Sequence, residues 1–215
     1  MTKNRENGFT SRIVLASSSP RRLELMRLIN LNPEVHPPRI PEIIRPNESP
    51  EDFVCRLTLE KGRFVRGNLE GEALVVSADT VVILDGDIVG KPGSRDHARQ
   101  ILCSLSGRMH EVWTGIGLLH AGREWVEMAK TRVWFAELSA WEIDRYLDLA
   151  HYQDKAGAYA IQGLSALFVE RISGCYFNVM GFPLRLFYTM TNRAGIDCFG
   201  IQPSRRLNGE SDASR

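Results

Sequence analysis

Arg12-Ile13-Val14-Leu15-Ala16-Ser17-Ser18-Ser19-Pro20-Arg21-Arg22 joins an apolar run to a serine cluster, a proline and two arginines. Residues 12–16 read as a short buried strand, and the serines before Pro20 as a helix cap with proline at the first helical position. Leu23 and Met26, with Leu25 and Ile29, follow at helical spacing and predict a helix of about three turns. A strand, a small-residue turn and a helix N-terminus together offer backbone N–H groups to an anion. Arginine in a first helical turn opposes the helix dipole, so Arg21 and Arg22 suggest an anionic ligand that compensates them. A plain capped helix with solvated arginines is the alternative.

Outward from this segment the chain alternates irregularly between strand and helix patterns. Residues 33–46 are proline-rich and aperiodic and predict an ordered loop. Ser49-Pro50-Glu51-Asp52 opens a helix that turns Phe53, Leu57, Phe64 and Val65 inward and ends near Gly67. Residues 73–78 and 81–84 are apolar strand, and Asp85-Gly86 is a hairpin turn into Ile88-Val89. Gly90-Lys91-Pro92-Gly93 precedes a helix over 95–105 closed by Gly107, then two long strands over 111–119 and 125–135. Ser139 and Glu142 form a capping box for a helix to about 149. Residues 166–172 predict a strand, and a last helix runs from about Phe182 to near Gly195. The pattern favours an α/β fold with a mixed sheet over a strict doubly wound one. Residues 1–10 read as a disordered extension, 11–196 as one folded domain, and 203–215 as a disordered tail.

The charge balance narrows the function. Among 215 residues, 27 basic and 26 acidic side chains leave a net charge of +1, so no bulk field attracts nucleic acid or a membrane surface. Only five of the basic residues are lysines: Lys3, Lys61, Lys91, Lys130 and Lys155. A lysine chosen where arginine is the default cation suits a phosphate as a compact point charge, which singles out Lys61 and Lys91, although a surface lysine is the commoner case. Four widely spaced cysteines and five histidines without ligand spacing give no zinc pattern and no disulfide framework, and predict reduced thiols in a cytoplasmic protein.

Asp79-Thr80 ends an apolar strand, a usual place for a catalytic carboxylate in α/β proteins; general base, metal ligand and simple turn aspartate all remain open there. Glu42 alone is a loop acid. Residues 154–163 mix small residues with Lys155 and Gln162, whose amide carries both donor and acceptor and suits a base edge. Thr114-Gly115-Ile116-Gly117 lacks the spacing of a dinucleotide fingerprint.

Taken in order, residues 15–22, Arg56-Leu57 with Glu60-Lys61, Ala78-Asp79-Thr80-Val81, Gly90-Lys91-Pro92, Leu105-Ser106-Gly107, residues 154–163 and residues 178–184 resemble the Maf family of nucleoside triphosphate pyrophosphatases. The resemblance covers residues 12–190 and implies a mixed, twisted sheet flanked by helices, in two lobes with a cleft between them, as in inosine triphosphatases. It implies cleavage of the α–β phosphoanhydride of a nucleotide with the help of a divalent metal cation, Mg²⁺ or Mn²⁺, in a homodimer. Carried over by motif, Asp79 is the catalytic base and, with Glu42, a metal ligand. Ser17, Arg22, Lys61 and Lys91 contact or neutralise phosphate, and Arg21, Thr80 and Gln162 sit where substrate choice is made. The S-P-R-R and D-K-A-G-A-Y versions resemble the branch acting on dTTP, UTP and modified pyrimidine nucleotides. The sister branch prefers 7-methyl-GTP. This chain has Ala160 where the family usually has glycine, Gly62 for alanine, Cys175 for aspartate, and Pro41 for an acid before Glu42. Two rivals carry other implications: a non-enzymatic nucleotide-binding regulator has no use for Asp79 beside Lys61 and Lys91, and a nucleotidyltransferase would need a glycine-rich loop at residues 17–22.

Overall fold

The computed structural model describes residues 12–197. In it residues Ile13–Ala16 form a fully buried strand, β1, that lies parallel to a neighbour on each side: Glu34–Val35 (β2) and Leu74–Leu84 (β3). A parallel strand covered on both faces needs the unbroken apolar run that this stretch provides. Helix α1 (Pro20–Leu28) follows, with Ser19 at the N-cap and Pro20 at the first turn. The cap is indirect: the Ser19 backbone N–H donates to Ser17 Oγ at 3.1 Å.

Beyond β3 the sheet turns antiparallel. Met109–His120 (β5) pairs with β3, Arg123–Phe135 (β6) with β5, and Val169–Ser173 (β7) with β6. The short Asp87–Val89 (β4) returns along the far end of β3 and completes a seven-stranded mixed sheet. Helix α2 (Pro50–Gly67) covers one face, with Phe53, Val54, Leu57 and Val65 buried against the sheet. The opposite face carries α1, α3 (Arg95–Leu105), α4 (Ala140–Leu149) and α6 (Leu184–Arg193) over the main core of Leu15, Val76, Val82, Ile116, Phe135 and Phe187.

Strand pairing on one side of β3 is interrupted. Pairing with β1 ends at Ala16 opposite Ser77, and pairing with β4 begins at Val82 opposite Val89. Over residues 78–81 the strand is bonded only to β5. β1 leaves the sheet there to enter α1, so a crevice opens beside β3 at the carboxyl end of β1, where open α/β sheets hold their ligands.

Most expected elements are present, with differences. Residues 166–172 are not one strand: Leu164–Phe168 is a 3₁₀ turn and β7 starts only at Val169. Leu167, 82% exposed, is apolar without being core. The loop at 33–46 contains β2, whose two residues are too few for a period to appear. One further helical turn, Tyr176–Val179 (α5), precedes α6, which begins at Leu184. Phe64 does not point inward; it is 40% exposed, because the buried stripe of α2 runs through Val54, Thr58, Lys61 and Val65. The segments 1–10 and 203–215 lie outside the described residues.

Candidate active site

The crevice is a cleft of about 420 Å³, and every residue singled out above lines it: Ser17, Arg21, Arg22, Glu42, Lys61, Asp79, Thr80, Lys91 and Gln162. Successive residues of a strand face opposite ways, so Asp79 and Thr80 build two different halves of it.

Asp79 points toward α2. Lys61, on the buried stripe of that helix, places Nζ 2.5 Å from Asp79 Oδ1 and 2.6 Å from Glu42 Oε1. Lys91 Nζ reaches the second oxygen of Glu42 at 2.6 Å. Four charges thus alternate in a row, Asp79–Lys61–Glu42–Lys91. The Asp79–Lys61 end of the row is deeply buried, with the two residues only 6% and 7% exposed. Partial burial raises the Glu42 pKa, but the ammonium groups of Lys61 and Lys91 outweigh it and hold that carboxyl down at about 2.

Lys61 reaches the strand because α2 lies unusually close to the sheet. A Cβ on Gly115 would come 2.4 Å from Thr58 Oγ1, and one on Gly117 2.4 Å from Ser77 Oγ. Ser77 Oγ donates to the Thr58 carbonyl at 2.7 Å and fixes the contact. The glycines of the 114–117 segment therefore serve helix packing.

On the other side of β3, Thr80 meets Arg22. The guanidinium donates from Nε to the Gly181 carbonyl at 2.9 Å, and from its two terminal nitrogens to Ser17 Oγ at 2.9 Å and Thr80 Oγ1 at 3.0 Å. Burial lowers its pKa, and the Asp79 carboxylate pulls the other way. Arg22 is thus a tie between α1, β3 and the turn before α6. Arg21, half-buried, lines the cleft with no hydrogen bond or ion pair among the described residues.

The third wall is the 154–163 segment. Gly157 and Ala158 both have positive φ, 70° and 57°. Tyr146 Oη donates to the Ala158 carbonyl, the Gly157 N–H donates to the Gly90 carbonyl beside Lys91, and Ser165 Oγ donates to the Ala160 carbonyl. Tyr159 Oη lies 2.7 Å from His110 Nε2. Burial pushes the Tyr159 phenol above its ordinary range and the His110 imidazole down to about 4. His110 and Tyr146 brace this wall by hydrogen bonds and belong to none of the motifs quoted above. The alternation His110-x-Val112-x-Thr114-x-Ile116-x-Leu118 was the available signal, because it puts His110 on the buried face of β5.

The donor set can be tested for a divalent cation. Glu42 and Asp79 already share one positive charge, the Lys61 ammonium, which stands where two carboxylates would share a metal. Among the described residues no three or more His, Cys, Asp or Glu side chains converge. Two carboxylates fit a hard cation of the Mg²⁺ type that completes its shell with water and substrate phosphate.

The profile of the family described as Maf-like protein matches residues 12–194. The chain belongs to the Maf-like family. A relative from Thermotoga maritima named dTTP/UTP pyrophosphatase is 45% identical over 178 residues, 82% of this chain and 86% of the relative. Relatives of the same name from Alkalilimnicola ehrlichii and Syntrophus aciditrophicus are 46% and 40% identical, over 80% and 94% of this chain and 87% and 99% of theirs. Among solved structures, a HAM1 protein from Coxiella burnetii superposes with a TM-score of 0.50 at 16% identity, over 86% of this chain and 100% of that one. That likeness is one of fold, and the Maf-like sheet shares it. No helix of the described residues is long and apolar enough to cross a membrane.

Proposed function

We propose that this Maf-like protein is a nucleoside triphosphate pyrophosphatase that hydrolyses dTTP and UTP to the monophosphate and pyrophosphate. The observation that carries the reading is the Asp79–Lys61–Glu42–Lys91 row, set at the unpaired edge of β3 with Arg21 open to the same cleft. A carboxylate for proton transfer beside ammonium and guanidinium groups for developing phosphate charge is the equipment of anhydride hydrolysis. Asp79 takes a proton from water as its oxygen attacks the α-phosphorus, the bond from that phosphorus to the α–β bridging oxygen breaks, and pyrophosphate leaves with the electron pair. Lys61 and Lys91 bind the β- and γ-phosphates and absorb the leaving charge, Ser17 and Arg22 shape the phosphate turn, and Arg21, open to the cleft beside Asp154, contributes to substrate choice. Glu42 and Asp79 would hold a divalent cation, which when bound polarises phosphate oxygens and lowers the pKa of water. Gln162 can meet the N3–H and O4 of a uracil or thymine ring with one amide, with Thr80 and Ala160 nearby in the lining. The family resemblance extends the reading to modified pyrimidine nucleotides and to a cytoplasmic homodimer.

The test is release of pyrophosphate and orthophosphate from dTTP, UTP, CTP, GTP and 7-methyl-GTP with Mg²⁺ or Mn²⁺. Pyrophosphate from dTTP and UTP, reduced about 10²–10⁴-fold in Asp79→Asn, is the expected result. Activity on 7-methyl-GTP alone would overturn the substrate assignment. No hydrolysis by folded, metal-supplied protein would overturn the reaction.

A further inference from the structure

Lys61 is paired in an unusual way. A lysine this buried requires compensation for its lost hydration. It receives two carboxylates, Asp79 and Glu42, both at hydrogen-bond distance. Arg22, a second enclosed cation of the cleft, is satisfied by neutral oxygens instead. Among the described residues, Lys61 is the only cation within 4 Å of Asp79. It therefore occupies the position between the two acids that a divalent ion would need.

We propose that Lys61 is an internal stand-in for the divalent cation. In the nucleotide-free protein its ammonium holds Glu42 and Asp79 together and competes with the metal for them. It is drawn off onto phosphate when a polyphosphate enters with the cation. The proposal rests on the pyrophosphatase reading for its biological use, but not for its test.

Charge counting explains why the exchange has to be joint. The cleft lining carries Arg21, Arg22, Lys61, Lys91 and Lys155 against Glu42, Asp79 and Asp154, which leaves two positive charges in excess. A divalent cation arriving alone adds to that excess and also displaces the buried Lys61 from its acids. A polyphosphate arriving alone draws the lysines away and leaves two carboxylates uncovered beside phosphate. Arriving together, the polyphosphate keeps a net negative charge for the basic residues while the cation covers the acids. Each ligand removes the obstacle to the other, so the two bind with positive coupling, which is reciprocal by linkage. The arrangement selects the cation–nucleotide complex over either component.

The experiment counts free Mn²⁺ by its paramagnetic resonance signal during titration into nucleotide-free protein, using wild type, Lys61→Met and Lys61→Gln. Thermal melting with and without Mn²⁺ is measured on the same samples. The expected result is that both variants bind Mn²⁺ about tenfold more tightly than wild type or better. Their melting temperatures should fall without metal and recover when Mn²⁺ is added, whereas the wild-type melting curve moves little. A merely structural lysine would lower stability with no metal rescue. Folded variants that bind Mn²⁺ no more tightly than wild type overturn the proposal. So does a wild type that binds the non-hydrolysable imidodiphosphate no more tightly with Mn²⁺ than without it, an outcome that stands even if the variants fail to fold. Pyrophosphate release by wild type tests the enzyme reading separately. Hydrolysis with no tightening sinks this inference alone, and tightening without hydrolysis sinks the enzyme reading while the stand-in role remains.

Discussion

Arg21 and Arg22 are chain neighbours with different duties. Arg22 uses the planar fork of its guanidinium to reach three oxygens on three elements, while Arg21 is left open to the cleft. A lysine has three donors on one nitrogen and cannot span the Gly181 carbonyl, Ser17 and Thr80 together. Arg22→Lys is therefore expected to lower stability by about 1–3 kcal/mol through partly unsatisfied oxygens, and to raise KM as the phosphate turn loosens. Arg21→Met should raise KM while leaving stability within about 0.5 kcal/mol of wild type. Denaturant unfolding set beside steady-state kinetics checks both, and an Arg22→Lys protein as stable as wild type would contradict the tie. The sequence brought both arginines to the cleft but could not separate them. Neighbouring helical positions point about 100° apart, and which one faces β3 depends on the rotation of α1 over the sheet.

At the scale of elements, the decisive contact is α2 against β3 and β5. Lys61 can reach Asp79 only because Gly115 and Gly117 let the helix approach, and the Cβ of Gly117→Ala would sit 2.4 Å from Ser77 Oγ. That hydroxyl cannot step aside without giving up its bond to the Thr58 carbonyl. Gly117→Ala should cost about 1–3 kcal/mol by overpacking. It should also lower kcat, since the shifted helix displaces Lys61 from the cleft in which it meets the leaving phosphates. Stability measured alongside turnover decides it: a lost kcat with unchanged stability would mean that the glycine acts by some other route. Strands and helices with a full period were legible, α2 and its Ser49 cap included, because an amphipathic stripe and a cap are local facts. β2 and α5 were not, since two and four residues are shorter than any period. Residues 166–168 misled because apolar content stood in for burial, although Leu167 faces solvent. The glycines of β5 carried no local meaning until a helix lay on top of them.

For the whole molecule, the break in pairing along β3 creates the cleft, and the main core beside it must stay closed for the 154–163 wall to hold. His110 sits in that core against the rings of Phe135 and Tyr159. Its Nε2 is paired with Tyr159 Oη, and its Nδ1 is buried without a partner among the described residues. The imidazole is held neutral: its pKa falls from 6.5 to about 4 through burial. The sign of the linkage follows from that direction. Between about pH 6.5 and 4 the unfolded chain takes up a proton at this histidine that the folded protein refuses, so stability is full above the upper value and falls as the medium is acidified. A shift of this size corresponds to roughly 3 kcal/mol across the window, with a slope of up to about 1.4 kcal/mol per pH unit. His110→Gln keeps a polar partner for Tyr159 and removes the titration. Its urea-unfolding free energy should therefore decline less steeply than that of wild type between pH 6 and 4.5, although the variant starts lower at pH 7.5 from imperfect packing. Parallel slopes would show that His110 takes up its proton in the folded protein as readily as in the unfolded chain. The acid lability would then have to come from the carboxylates, whose window lies lower: Glu42, held at about 2, gives up its stabilisation only as pH falls below the ordinary carboxyl range.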